Sequence, residues 1–336
     1  MKAVRWHARN DVRLDEVPLP VPTGSQVRLR VEAAGICGTD VDEVRLGPIT
    51  VPVTPHPVSG RAAPITLGHE IVGIVDEAGP DAALAVGQRV SPWPSQPCGR
   101  CRDCTTGHGN RCARMVALGM TVDGGMAESL VVDGQACVPI GADVAPERAV
   151  LVEPFAVALH GAHLVALAGR RVAVVGTGSV GLCMIEVARR CAARDVIAVS
   201  RSETAVQTAR EAGATASLTP DQAGEADAEV VFEAAGTAPA VGAAIVASRR
   251  GGQVVILGGH PDPVALDLLD LVVREIAIRG SVSHCRADFI AAAGAITAGE
   301  LARTRRPVEI APLEAGPTLL RRDAGATKRI LVPATP

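Results

Sequence analysis

Residues Arg171–Cys191 read RVAVVGTGSVGLCMIEVARRC. A short run of β-branched residues, RVAVV, runs into G-x-G-x-x-G and then into an apolar pattern with helical spacing. A strand that turns through glycines into a helix is the start of a βαβ unit. The texture continues in DVIAVSRSETAVQTAREAGA (195–214), AEVVFEAAGTAPAVGAAIVAS (228–248), GGQVVILGG (251–259) and EIAIRGSVS (275–283). Strand and helix in alternation specify a doubly wound α/β domain around a parallel sheet. Upstream, VRLRVEAAG (27–35), ITLGHEIVGIVDEAG (65–79) and GGMAESLVV (124–132) read as strands between Pro- and Gly-rich turns, a mostly β region. Past Cys285 come one helical segment and two more β patterns, VEIAPL and RILVP. The expected organisation is a nucleotide-type domain over 151–285, set between 1–150 and a returning tail, 286–336.

The 336 residues are too many for one hydrophobic core, which agrees with two domains. With two Trp, three Phe and no Tyr, the core must be built from Val, Leu, Ile and Ala. A net charge of -3 with no Lys/Arg block argues against a nucleic-acid or anionic-membrane surface. No run of eighteen apolar residues suggests a membrane span. MKAVRWHARNDVRLDEV (1–17) has no apolar leader segment, so a cytoplasmic, reducing setting is expected. There, clustered cysteines are metal ligands more often than disulfides.

Four of the nine cysteines lie within CGRCRDCTTGHGNRC: Cys98, Cys101, Cys104 and Cys112. Four thiolates close a tetrahedral shell around zinc and leave no position for substrate, so this metal is structural. An iron–sulfur cluster is the competing reading of the same spacing. A second donor set is dispersed through the chain: Cys37 in GICGTD, His69 and Glu70 in TLGHE, Glu153 in VEPFAVALH. These residue types suit an open catalytic zinc, but spacing alone does not join them. In GTGSVG, residues Gly176, Thr177, Gly178, Ser179, Val180 and Gly181 form a turn that can cradle a pyrophosphate at a helix N-terminus. The ribose-reading position at the end of the second strand holds Ser200 and Arg201 rather than an acid, which favours NADP(H) over NAD(H).

These motifs, in this order over essentially the whole chain, resemble the zinc-containing medium-chain alcohol dehydrogenases. The residues that carry the likeness are GICGTD, the GHE of TLGHE, the four-cysteine lobe, GGMAESLVV, VEPFAVALH, GTGSVG, VFEAAGT and EIAIRGS. An E-P pair at Glu153 is similar to the polyol branch, which includes butanediol, sorbitol and threonine dehydrogenases. The resemblance implies a central Rossmann domain and a GroES-like catalytic domain with a structural zinc lobe. It implies two zincs per chain, the catalytic one held by Cys37, His69 and Glu153. It implies that Glu70 tunes that metal, that Thr39 carries the substrate proton and that Asp40 orients a ligand. A homodimer or homotetramer joined near EIAIRGS is implied as well. The expected reaction is hydride transfer between NADP(H) and a secondary alcohol, such as a vicinal diol, polyol or cyclitol, and its ketone. An NAD-dependent butanediol or sorbitol type enzyme is the alternative, and a fold-retaining binding protein the alternative of another class.

Two departures from the family pattern matter: Ser200-Arg201 at the ribose-reading position, and the end of the proton relay. Where many relatives carry a histidine at the end of the proton relay, this chain has Asp42, a weaker base with an ordinary pKa of about 3.9. Trp93, Phe155 and Phe289 are candidates to line the substrate pocket, with core packing as the alternative. Cys137, Cys183, Cys191 and Cys285 are expected to be small buried hydrophobes.

Overall fold

The strand Gln26–Gly35 shows how the β region is built. Val27, Leu29, Val31 and Ala33 are buried, and the Arg and Glu residues between them are partly exposed, the period of a half-buried strand. In the computed structural model, which describes residues 1–260, 262–301, 308–322 and 328–334, this strand is central to a seven-stranded sheet. It pairs antiparallel with Glu70–Ala78 on one side and with the C-terminal strand Lys328–Val332 on the other; Ser129–Asp133 pairs with its first half. Beyond Glu70–Ala78 lie Arg89–Pro92 and Cys137–Pro139, and beyond Lys328–Val332 lies Val308–Pro312. A smaller sheet, Asp11–Glu16, Lys2–Ala8 and Ile65–Thr66, packs its own core around Trp6, Ile65, Leu67 and Met126.

The chain divides into two compact units. The first is made of Met1–Glu153, Cys285–Glu300 and the segment from Val308 onward; the second is built on Pro154–His284.

The second unit is a six-stranded parallel sheet in the spatial order Ala216–Leu218, Asp195–Val199, Arg171–Val175, Ala228–Glu233, Ser248–Ile256, Ala277–Gly280. Its central strands are mostly apolar and buried on both faces, as a sheet covered by helices requires. The helices Ser179–Arg190, Glu203–Glu211, Ala238–Ala247 and Leu268–Arg274 make crossovers. The strand order reverses between Arg171–Val175 and Ala228–Glu233, the switch point where such sheets bind ligands. Ala173, Val199, Val231, Ala244 and Val254 fill a core without rings; Phe232 is the fully buried exception in these strands. No helix among the described residues is long and apolar enough to cross a membrane.

Three expectations change. Phe155 and Phe289 are fully buried core residues, while Trp93 keeps 8% of its surface exposed. Cys191 is exposed, because it lies just past the end of Ser179–Arg190 where Ala192 turns the chain through a positive φ of 56°. Cys285 is only partly buried, with Sγ 3.2 Å from Asn110 Oδ1.

Candidate active site, metal centres and cofactor turn

The four-cysteine lobe is compact. The sulfurs of Cys98, Cys101, Cys104 and Cys112 all lie within 4.8 Å of one another. Cys101–Cys104 is 3.4 Å, Cys101–Cys112 3.9 Å and Cys98–Cys104 4.0 Å, and all four are free thiols. A tetrahedron of sulfurs at zinc–sulfur bond length has edges of about 3.8 Å, so the donor set fits zinc. Amides point at the sulfurs: Cys98 N–H and Arg114 N–H each donate to Cys112 Sγ at 3.4 Å. Backbone amides of Arg100 and Cys101 pull the Cys98 thiol down to about 6, while burial and the neighbouring thiols push Cys104 up to about 12.

The second donor set is assembled by strand register. Gly35 pairs directly with Glu70, so Cys37, two residues beyond one strand position, and His69, one residue before the other, arrive at the same end of the sheet. Ligand atoms of Cys37, His69 and Glu70 lie within 4.8 Å of one another. Cys37 precedes the helix Gly38–Leu46, and its N–H donates to Asp40 Oδ2 at 2.9 Å. Asp40 Oδ1 stands 3.5 Å from His69 Nδ1, inside ion-pair range, yet that nitrogen makes no hydrogen bond. A buried imidazole with an unbonded nitrogen, beside a thiol and a carboxylate, is a donor set that fits zinc. Burial opposes charging of His69, but Asp40 and Cys37 outweigh it and hold the imidazole pKa well above its usual value. Thr39 Oγ1 is 3.7 Å from Cys37 Sγ. Glu153 is buried but is not one of the three clustered residues; its charge acts on Glu70 and raises it. Asp42 is half-buried on the same helix as Thr39, and burial lifts its pKa, with Arg45 opposing.

Two residues here were missed from sequence. Lys328, almost fully buried, donates to the Ile36 carbonyl at 3.1 Å and forms an ion pair with Glu70. Gly35 makes room for it, since a Cβ there would overlap the Glu70 carboxylate and press on the lysine chain. The one available signal was rarity: Lys2 and Lys328 are the only lysines in an arginine-rich chain.

The glycine turn is built as its motif requires. Gly176 has φ +95°, and a Cβ on it would sit 2.7 Å from Ala235 Cβ. A Cβ on Gly181 would collide with the Gly176 carbonyl, so helix and strand pack only because both are glycine. Gly178 faces open space at the N-terminus of Ser179–Arg190, where a phosphate can approach. Thr177, Ser179 and Val180 complete the turn. At the end of the next strand a cavity of about 430 Å³ is lined by Ser200, Arg201, Ser202, Glu203, Gln207 and Arg210 among others. The buried Ser200 hydroxyl there has no hydrogen-bond partner.

Residues 23–142 match the alcohol dehydrogenase GroES-like domain, and residues 179–298 match the zinc-binding dehydrogenase family. The chain belongs to the zinc-binding medium-chain alcohol dehydrogenases. It is 33% identical over 300 residues to (R,R)-butanediol dehydrogenase of Bacillus subtilis, covering 84% of this chain and 85% of that one. To L-threonine 3-dehydrogenase of Coxiella burnetii it is 31% identical over 281 residues, 80% of this chain and 79% of the relative. Among solved structures, a zinc-binding dehydrogenase of Sinorhizobium meliloti 1021 bound to NADP superposes with a TM-score of 0.88 at 32% identity, covering 99% of both chains. Membership makes this protein a zinc-dependent alcohol dehydrogenase acting on CH–OH donors with a nicotinamide dinucleotide. The GroES-like and Rossmann architecture and the structural four-cysteine zinc lobe follow the family pattern.

Proposed function

We propose that the enzyme interconverts a secondary alcohol, of the vicinal diol, polyol or cyclitol class, with its ketone, and that it prefers NADP(H). The cofactor preference rests on the cavity at Ser200. Two guanidiniums, Arg201 and Arg210, line it against one carboxylate, Glu203, and the buried Ser200 hydroxyl is free to bond a ligand. A 2′-phosphate suits that balance of charge. The likeness to butanediol dehydrogenase, and to a D-xylulose reductase of Aspergillus fumigatus at 29% identity over 310 residues, supports the diol and polyol class. Glu203 favours the second reading, an NAD-dependent enzyme, because a carboxylate can accept a ribose hydroxyl in the same cavity.

In this reading Cys37, His69 and Glu153 would hold the catalytic zinc, and Glu70, which also lies within 4.8 Å of the Cys37 and His69 ligand atoms, is paired with Lys328. Bound zinc lowers the pKa of an alcohol hydroxyl towards neutrality. Thr39 takes up the hydroxyl proton and passes it outward, with Asp42 as the acceptor. A bound nicotinamide dinucleotide would supply the acceptor for the hydride of the carbinol carbon, so that ketone, reduced cofactor and one proton are the products. Asp40 orients Cys37 and His69 from behind.

A homodimer or homotetramer is part of the proposal. The edge strand Ala277–Gly280 is exposed, and Leu268, Leu269 and Val272 of the adjoining helix are each more than 65% exposed. An edge with apolar neighbours suits pairing with a second copy. The nine free cysteines suit a reducing, cytoplasmic setting. The test is the initial rate of nicotinamide reduction on diols, polyols and cyclitols with NADP⁺ and NAD⁺ in parallel, alongside Cys37→Ala. Faster turnover with NADP⁺, abolished by the substitution, supports the proposal. Turnover with NAD⁺ alone overturns the cofactor preference, and an active Cys37→Ala enzyme overturns the site.

A further inference from the structure

Glu233 ends the fourth strand of the parallel sheet, directly beside Val175 at the switch point, and is fully buried. Its carboxylate is spent entirely on two loops. Oε1 accepts the N–H groups of Ala235 at 2.8 Å and Gly236 at 2.9 Å. Oε2 lies 3.1 Å from Nε2 of His260, which stands four residues past the end of the fifth strand. The Glu233 carbonyl also accepts Leu257 N–H at 2.8 Å and Gly258 N–H at 3.2 Å. The loops Ala234–Gly236 and Leu257–His260 are pressed together. A Cβ on Gly236 would meet the Gly259 carbonyl at 2.8 Å, and one on Gly258 would meet the Glu233 carboxylate at 2.7 Å. Ala235 in turn packs on Gly176 of the glycine turn.

A doubly wound sheet takes one mononucleotide half of its cofactor on each side of the switch point. Ser200 and Arg201 end a strand on the adenosine side. Glu233 and His260 therefore stand on the nicotinamide side. We propose that His260 is a positioning residue for the nicotinamide half. Through Glu233 it clamps the two loops that wall that side of the crevice, so that they are ordered before the cofactor arrives. Losing the imidazole leaves a buried carboxylate oxygen without its donor and frees the Leu257–His260 loop. The proposal rests on reading Gly176–Gly181 as the dinucleotide turn, but not on the preference for NADP(H).

The experiment titrates wild type, His260→Leu and His260→Gln with NADPH and NADH, and with their adenosine halves, 2′,5′-ADP and 5′-AMP. Each variant is checked for melting temperature and zinc content. For the reduced nicotinamide that wild type binds more tightly, His260→Leu raises Kd at least tenfold, while the matching adenosine half stays within twofold. His260→Gln, which can still donate to Glu233, stays within threefold of wild type for both. If His260→Leu does not fold, His260→Ala takes its place. Wild-type affinity in the apolar variant overturns the proposal, as does an equal loss for dinucleotide and adenosine half, which signals general loosening. No rescue by glutamine also overturns it. A wild type that binds neither dinucleotide overturns the cofactor turn itself, a separate and earlier failure.

Discussion

Lys328 and Glu70 form an ion pair with side chains only 2% and 1% exposed, joining the C-terminal strand to the strand that follows His69. The lysine also donates to the Ile36 carbonyl, one residue before Cys37. One ammonium thus touches the chain on both sides of the donor cluster. Burial and Glu153 push the Glu70 pKa up, and Lys328 opposes them. The Glu70 side of the pair lies within 4.8 Å of the ligand atoms of Cys37 and His69.

Removing one partner leaves an uncompensated buried charge, which costs about 3–5 kcal/mol. Lys328→Met is therefore expected to unfold at clearly lower denaturant and to lose catalytic zinc or turnover. Denaturant titration with metal analysis checks both. Gly35→Ala should act through the same pair, since the added methyl needs the space that Glu70 and Lys328 occupy. A Gly35→Ala protein as stable and active as wild type would remove the argument.

The lobe cysteines differ in acidity, and the sign of the difference is testable. With metal removed, Cys98, lowered to about 6, is thiolate at pH 7, whereas Cys104, raised to about 12, is thiol. Brief alkylation of metal-free protein at pH 7, mapped by mass spectrometry, should label Cys98 ahead of Cys104. Cys104→Ser should lower zinc by one per chain and lower the melting temperature, while the Cys37 cluster keeps its metal.

Arg210 lines the same cavity as Arg201. A charge-assisted hydrogen bond contributes about 1.5–3 kcal/mol, roughly 10- to 150-fold in affinity. Arg201→Ala and Arg210→Ala should each weaken NADPH by about that factor and leave NADH within about threefold. Parallel titrations decide it; equal losses for both cofactors would mean that neither arginine reads a phosphate.

Asp42 is the proposed proton acceptor, and burial raises its pKa. An acceptor works deprotonated, so turnover should fall as pH drops through that raised value, placing the acid limb above that of an ordinary aspartate. In Asp42→Asn the limb should move or vanish, with a lower kcat and little change in KM. An unchanged pH–rate profile would mean that the proton leaves by another route.

Most of the chemistry was local enough to be legible in sequence. The thiol spacing from Cys98 to Cys112 spans fifteen residues, and the glycines of Gly176–Gly181 sit on one turn, so the chain's own geometry dictates what each can hold. The alternation of strand and helix after Arg171 fixed a parallel sheet, because period and length set the element and a crossover sets the direction. Counting along that pattern puts Ser200 and Arg201 just past the end of the second strand, which is where Asp195–Val199 ends.

What sequence left open depends on contacts between residues far apart in the chain. Nothing local tells that Gly35 faces Glu70; that register is set by the pairing of two whole strands and brings Cys37 to His69. Lys328 reaches the same place only because its strand adds to the edge of Gln26–Gly35, 292 residues from the carbonyl it binds. Glu233 reads as an ordinary strand residue until two glycine loops close over it and His260 arrives from the next strand. Sequence by itself determined the residue types, the turn chemistry and the order of elements, since these follow from spacing along one chain. Tertiary structure alone decided which charges are buried together, because desolvation and pairing exist only once distant strands have met.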